Sequence, residues 1–230
     1  MASEIALIVG AGKGLSASLA RACAKRGMKV ALAARNVEKL GGLAGETGAR
    51  AYACDASNAG AVQELFRAVE RDFGAPTLVV YNASGRVRGP LVELDPAQVA
   101  KAIEVSALGG FYVGQEAAKR MLPAGRGTIL FTGASASVKG YAQSAPFAMG
   151  KFALRGLAQS MARELAPKGV HVGHFVIDGG IRQRGETRGE RGPGGLLDPD
   201  AIAQAYLQLH DQHRSAWTWE IELRPWTETF

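Results

Sequence analysis

The chain has 230 residues, 47% of them hydrophobic, enough to bury one sizeable core without disulfides or metal ions. Its formal net charge is +6, yet aromatic and basic residues do not interleave and no recognition-helix pattern stands out, so anionic small molecules account for the charge better than nucleic acid does. The only two cysteines, Cys23 and Cys54, argue against a disulfide framework or a metal cluster, and no apolar run reaches the length of about 18 residues that would suggest a membrane span, so a reduced cytoplasmic setting is expected.

In chain order, Ile5–Val9 reads as a strand that feeds Gly10-Ala11-Gly12-Lys13-Gly14 and then an Ala-rich helix over 15–26. Glycines there let the backbone turn tightly and approach a pyrophosphate, while the free N–H groups opening the helix attract the anion. A Gly-x-Gly-x-x-Gly reading fails because Leu15 falls on the third glycine. Gly10-x-x-x-Gly14 fits, with Ser16 where a third glycine would complete Gly-x-x-x-Gly-x-Gly. The second strand, Lys29–Ala34, is followed by Arg35 rather than by the carboxylate that NAD-binding folds place against the ribose hydroxyls. A guanidinium fork suits a 2′-phosphate, and Lys13 adds a second charge, so the pattern points to NADP(H).

Strand and helix signals then alternate. They give a helix over 37–47, a strand over 50–54, a helix over 61–73 carrying Val62, Leu65, Phe66 and Val69 at helical spacing, and a strand over 77–81. Pro96 opens a helical stretch to 121 with an interruption near Gly109-Gly110, followed by a strand at Gly127–Thr132 and a helix over 147–165. A strand at Val170–Ile177, a helix over 199–212 and a strand over 217–223 complete the chain. This alternation predicts an α/β fold with one domain over 1–230: a single Rossmann-type doubly wound parallel sheet of about seven strands, helices on both faces and ligands at the strands' C-terminal ends. The Gly/Arg-rich segment 182–191, in a loop at about 182–197, reads as solvated chain over that edge, where a lid would lie, and its arginines hint at an acidic group on the ligand.

His171 and His174, three apart on a strand, face opposite sides, and no carboxylate cluster joins His210 and His213, so no metal is predicted. Trp217, Trp219 and Trp226 are expected to pack the last strand and tail, with a subunit contact as the other reading.

Together these residues resemble the short-chain dehydrogenase/reductase family from residue 5 to about residue 223. The glycine turn matches that family's Gly-x-x-x-Gly-x-Gly apart from Ser16; Asp55, next to Ala56, matches its adenine-contacting aspartate; Asn82-Ala83-Ser84 resembles its Asn-Ala-Gly with the glycine replaced. Lys13 and Arg35 fall where NADP-preferring members carry their basic pair. The resemblance implies NADP(H) held by Gly10, Gly12, Lys13, Gly14, Leu15, Arg35, Asp55, Ala56, Asn82, Ala83 and Lys151. It also implies a small-molecule substrate, and a homodimer or homotetramer formed through helices 96–121 and 147–165.

The catalytic positions depart from that pattern. The family's Tyr-x-x-x-Lys falls on Phe147-Ala148-Met149-Gly150-Lys151, and its serine, thirteen residues earlier, falls on Ala134, with Ser135 and Ser137 close by. Its helix asparagine is Ser106, and its Pro-Gly after the sixth strand gives way to Ile177-Asp178-Gly179-Gly180, so of four residues usually credited with catalysis only Lys151 stands. Phe147 has no proton to give, and a positioned general acid is worth on the order of 10²–10⁴ in rate. Tyr141, Ser137 with its neighbour Ser144, and Asp178 are the candidates to replace it, with Ser84, Ala134, Ser135 and Phe147 lining the substrate pocket. A preformed iminium, which needs no carbonyl protonation, is a further way round the missing tyrosine. The expected function is an NADP(H)-dependent oxidoreductase with a non-standard proton-delivery site, acting on a carbonyl, imine or activated alkene. The alternatives are an inactive NADPH-binding or regulatory protein, and non-redox chemistry on the same scaffold.

Overall fold

The computed structural model describes residues 3–182 and 194–228. Strands β1 (Ile5–Val9), β2 (Lys29–Ala34), β3 (Arg50–Ala53), β4 (Leu78–Tyr81), β5 (Gly127–Thr132), β6 (Val170–Ile177) and β9 (Glu220–Leu223) form one sheet in the order β3-β2-β1-β4-β5-β6-β9. Every pairing in it is parallel. A short parallel pair, β7 (Gly180–Ile181) with β8 (Leu196–Leu197), lies outside that sheet. The helices are α1 (Leu15–Lys25), α2 (Gly41–Thr47), α3 (Ala59–Phe73), α4 (Pro96–Ile103), α5 (Gly109–Met121), α6 (Ala145–Leu165) and α7 (Pro199–His210).

Central strands read as continuous apolar runs because both faces are covered, and β1, β4 and β6 are buried along their whole length. One core layer joins Phe66, Tyr81, Phe131 and Leu154; the other joins Leu19, Phe175, Tyr206 and Leu207, with the Phe175 and Tyr206 rings stacked 3.6 Å apart. From β1 the chain winds outward through β2 and β3, then returns to place β4 on β1's other side. Strand order reverses there, opening a crevice at the strands' C-terminal ends, where doubly wound sheets bind ligands.

Local differences from the sequence reading have identifiable causes. Asn58 caps α3 by accepting the Ala61 N–H at 2.9 Å, so that helix starts at Ala59 rather than 61, and Pro146 sits in the first turn of α6, which starts at Ala145 rather than 147. The interruption of the long helix is not at Gly109-Gly110 but just before, in a π-helical turn at Glu104–Leu108. Both glycines are helical and make room instead: a Cβ on Gly109 would lie 2.3 Å from Tyr81 Oη, and one on Gly110 2.4 Å from Leu154 Cδ1. The last strand begins at Glu220 rather than 217, because Trp217 stacks flat on His171 at 4.5 Å and Trp219 sits under the Arg155 guanidinium. Trp226 stands exposed. Of the expected lid, Arg182 pairs with Asp198, and residues 183–193 lie outside the described residues.

Candidate functional site

The glycine turn brings β1 against the end of β4. Gly10 has φ +86°, and a Cβ there would lie 2.3 Å from the Ala83 backbone nitrogen, so both conformation and space require glycine. Gly12 and Gly14 differ: a Cβ on either would meet no protein atom within 4 Å, so their bareness faces the crevice rather than the core. Gly14 is the N-cap of α1, which has no side-chain cap and no acidic residue in its first turn, and this leaves its N–H groups and positive dipole end for an anion. Buried Ser16 donates to the Gly10 carbonyl at 3.0 Å and accepts from Asn82 Nδ2 at 2.6 Å. The residue that breaks the glycine pattern therefore ties the turn to β4.

A cleft of about 890 Å³ runs from this turn across the ends of β2 and β3. Gly10, Gly12, Lys13, Arg35, Asp55, Ala56, Asn82, Ala83 and Ser84 line it, so the structure brings together nearly all the residues expected to hold the cofactor, with Ser84 here rather than in a separate substrate pocket. Gly14 and Leu15 border an adjoining recess of about 730 Å³ that shares Gly12, Lys13, Lys39 and Leu40. Asn36, Lys39 and Val105 are lining residues that sequence reasoning missed; the available signal for Lys39 was its place four residues after Arg35 on the turn Glu38–Leu40. Lys13, Arg35 and Lys39 form no ion pair among the described residues, in contrast to Arg21, whose fork is taken by Glu46. Asp55 accepts from the Ser57 hydroxyl at 2.7 Å and its N–H at 3.0 Å, bonds that hold its carboxyl below the usual range with help from Lys101 and Arg35. The volume falls within the roughly 300–1,000 Å³ of small-molecule sites, and bare glycines, an uncapped helix and three cations without an ion pair among the described residues suit an anionic dinucleotide.

The loop after β4 continues from this cleft into a second cavity of about 520 Å³, contributing Arg86 and Arg88. Ala134, Ser135, Tyr141, Ser144, Phe147, Asp178 and Glu228 also line it. Six residues proposed from sequence for chemistry or substrate contact thus share one space: Ala134, Ser135, Tyr141, Ser144, Phe147 and Asp178. The Arg86 guanidinium lies 5.1 Å and the Lys151 ammonium 5.8 Å from the centroid of the Phe147 ring. Asp178 pairs with Lys139 at 3.4 Å and Arg224 at 3.9 Å.

Lys151 and Ser137 line neither space. Lys151 is buried with its Nζ donating to the Thr132 carbonyl at 2.7 Å, and burial pushes its pKa down to about 8. Ser137 corrects the expectation that it supplies a hydroxyl to the pocket. It is fully buried, accepts the Ala134 N–H at 3.1 Å and lies 3.4 Å from His174 Nε2. His174 Nδ1 lies 3.0 Å from Glu220, whose two oxygens are gripped by the Arg155 fork at 2.6 and 2.8 Å. Burial pushes His174 down to about 4 against the pull of Glu220. A neutral ring giving its Nδ1 proton to the carboxylate leaves Nε2 to accept from Ser137, so the serine proton points into the core. Ser106, in the asparagine position, is likewise buried: its hydroxyl accepts from Gly85 N at 3.0 Å and lies 3.3 Å from Gly85 O, fastening the β4 loop.

His210 bonds Thr128 at 2.8 Å and Glu4 at 3.3 Å, and among the described residues no His, Cys, Asp and Glu group could hold a metal ion. No helix among them is long and apolar enough to cross a membrane.

Residues 4–182 match the family model for short chain dehydrogenase. The chain belongs to the short-chain dehydrogenase family. A curated relative, D-threitol dehydrogenase from Mycolicibacterium smegmatis, is 30% identical over 224 residues, covering 90% of this chain and 85% of its own. A solved short-chain dehydrogenase from Rhodopseudomonas palustris is 36% identical with a TM-score of 0.85, covering 97% of this chain and 99% of its own. A metagenomic short-chain oxidoreductase solved in complex with NADP is 29% identical with a TM-score of 0.84, covering 96% and 97%. Short-chain dehydrogenases use a nicotinamide cofactor, and the cleft at the β1–β4 switch point has the parts to hold one.

Proposed function

We propose that this short-chain dehydrogenase is an NADP(H)-dependent oxidoreductase acting on a small carbonyl, imine or activated alkene, with proton delivery that does not pass through residue 147. The observation that carries the cofactor assignment is the set of cations at the end of β2: Arg35 and Lys39, with Lys13 across from them on the glycine turn, none of which forms an ion pair among the described residues. A 2′-hydroxyl offers them only a neutral acceptor, whereas a 2′-phosphate balances their charge and accepts charge-assisted hydrogen bonds. The NADP complex of the metagenomic relative supports this choice.

When bound, the dinucleotide supplies or accepts the hydride. Gly10, Gly12 and Gly14 let its pyrophosphate approach the α1 N-terminus, Asp55 and Ala56 border the adenine side, and Asn82 is held in place by Ser16. Lys151 sets a positive field beneath Phe147, which walls the substrate cavity. Among cavity side chains Tyr141, half exposed, is the phenol that can give a proton to a reduced acceptor, and Asp178 is the carboxylate that can relay one.

The test is a titration with NADPH and NADH followed by nicotinamide fluorescence, on the natural protein, Arg35→Ala and Lys39→Ala. Strong preference for NADPH that collapses in both variants supports the assignment; equal affinities overturn it. Acceptor-dependent NADPH oxidation, and its loss in Tyr141→Phe, tests the proton route. A second reading, NADPH binding without turnover, is favoured by Phe147, Ala134 and Ser106 standing together at the positions of lost groups; it predicts nucleotide affinity with no acceptor-dependent oxidation.

The same reading includes a homo-oligomer and a reducing compartment. Phe111 on α5 and Met149 and Phe152 on α6 expose apolar surface on the two helices expected to pair, and Phe152→Glu should lower the mass seen by light scattering. Cys23 and Cys54 are both free.

A further inference from the structure

We propose that the second cavity takes a substrate bearing a carboxylate, gripped by Arg86 and Arg88 above the Phe147 ring. The inference rests on the reading that the acceptor occupies this cavity, and it names the acceptor's class. Arg86 and Arg88 line the cavity and make no ion pair among the described residues. Neither of the cavity's two acids takes them: Asp178 pairs with Lys139 and Arg224, and Glu228 makes no ion pair with either arginine among the described residues. Among the described residues the two guanidinium groups are therefore the cations of this space without an ion pair.

Arg86 is also held in position. Its guanidinium lies over the Phe147 ring, which accepts through its face and uses none of the N–H groups, so the fork keeps its donors for a ligand. The loop carrying both arginines is clamped at each end. Ser106 bonds Gly85 on one side, and on the other the Gly89 N–H donates to the Gln143 carbonyl at 3.1 Å. Gln143 has φ +58°, a left-handed conformation that a non-glycine residue keeps only when its surroundings hold it there.

The start of α6 adds to the field. Ser144 and Phe147 belong to its N-cap and first turn and line the same cavity; the 21-residue helix has no side-chain cap and no acid in that turn. A carboxylate fits better than a phosphate, because Asp178 and Glu228 in the walls repel a dianion more strongly than a monoanion.

The experiment uses matched probes, benzoylformate with its methyl ester and 4-oxopentanoate with its methyl ester, plus phenylphosphonate. Binding is measured by ligand-observed saturation-transfer NMR on the full chain, with and without NADP⁺. Acids should bind roughly tenfold or more tightly than their esters. That preference should vanish in Arg86→Gln and Arg88→Gln, weaken in Arg86→Lys, and persist in Arg67→Gln on α3. Circular dichroism melts show that the variants fold. Esters binding as well as acids, or acid binding unmoved by either glutamine variant, would overturn the proposal, and phosphonate binding above carboxylate would overturn the choice of anion. Because this readout works without nucleotide, failure of the NADPH titration sinks the reductase reading while the carboxylate site stands or falls separately.

Discussion

The Asn82 side-chain amide donates to the Ser16 hydroxyl at 2.6 Å, and that hydroxyl in turn donates to the Gly10 carbonyl. The third glycine of the family pattern is thus replaced by a residue that locks the phosphate turn to the end of β4. Ser16→Ala should cost about 1 kcal/mol of unfolding free energy for the lost bonds, and Ser16→Gly somewhat more, since glycine adds backbone freedom to the unfolded chain in the first turn of α1. Urea denaturation checks this. A Ser16→Gly variant as stable as the natural protein would show that the bridge carries no stability.

The glycine turn, Arg35, Asp55 and Asn82 were legible in the sequence because each depends on the end of a strand, and apolar runs such as Ile5–Val9 and Leu78–Tyr81 mark strand ends well. Lys39, Arg86 and Arg88 were not, because they reach their clefts through turns and loops whose path no periodicity reports. Ser137 points away from the cavity for a reason of the opposite kind. It lies three residues from Ala134, which stands at the family's serine position, but the turn Ser135–Ser137 directs its hydroxyl at His174, a partner 37 residues away. The interruption expected near Gly109-Gly110 is a π-helical turn at Glu104–Leu108 that ends beside them; its type is not legible in the sequence, because the two glycines are there for close contact with Tyr81 and Leu154.

Phe147→Tyr should restore a proton donor to the cavity. The ring is half-buried and lines an open space, so a hydroxyl can be added without repacking, and Arg86 keeps its aromatic platform. Ketone-dependent NADPH oxidation should rise about a hundredfold, within the range for a positioned general acid, while turnover of preformed iminium substrates should change little. Equal gains on both would show that residue 147 acts through packing rather than proton transfer.

His174 makes folding sensitive to acid. Burial lowers its pKa from 6.5 to about 4, so between those values the unfolded chain binds a proton that the folded chain refuses. Stability should therefore fall as pH drops from 6.5 toward 4, by on the order of 3 kcal/mol for this group. His171, also lowered by burial, acts in the same direction. Denaturation midpoints for His174→Asn should lie lower at neutral pH yet fall less steeply across that window. An unchanged slope would assign the acid sensitivity to other groups.

Lys151 has the same sign at the alkaline end. Its ammonium is buried with the Thr132 carbonyl as partner, and burial lowers its pKa from 10.5 to about 8. At neutral pH it is charged in both states, and folding bears the full cost of burying that charge. As pH rises from 8 toward 10.5 the folded chain sheds the proton while the unfolded chain keeps it, so the cost is relieved and Lys151 becomes less destabilising. Lys151→Met should therefore be more stable than the natural protein at pH 7, by an amount on the order of 3 kcal/mol less the lost bond to Thr132. The difference should shrink as pH passes through that window. Urea titrations at pH 7, 9 and 10.5 read the trend directly. A methionine variant less stable at pH 7 would mean that the bond to Thr132 outweighs desolvation, and that Lys151 contributes to stability.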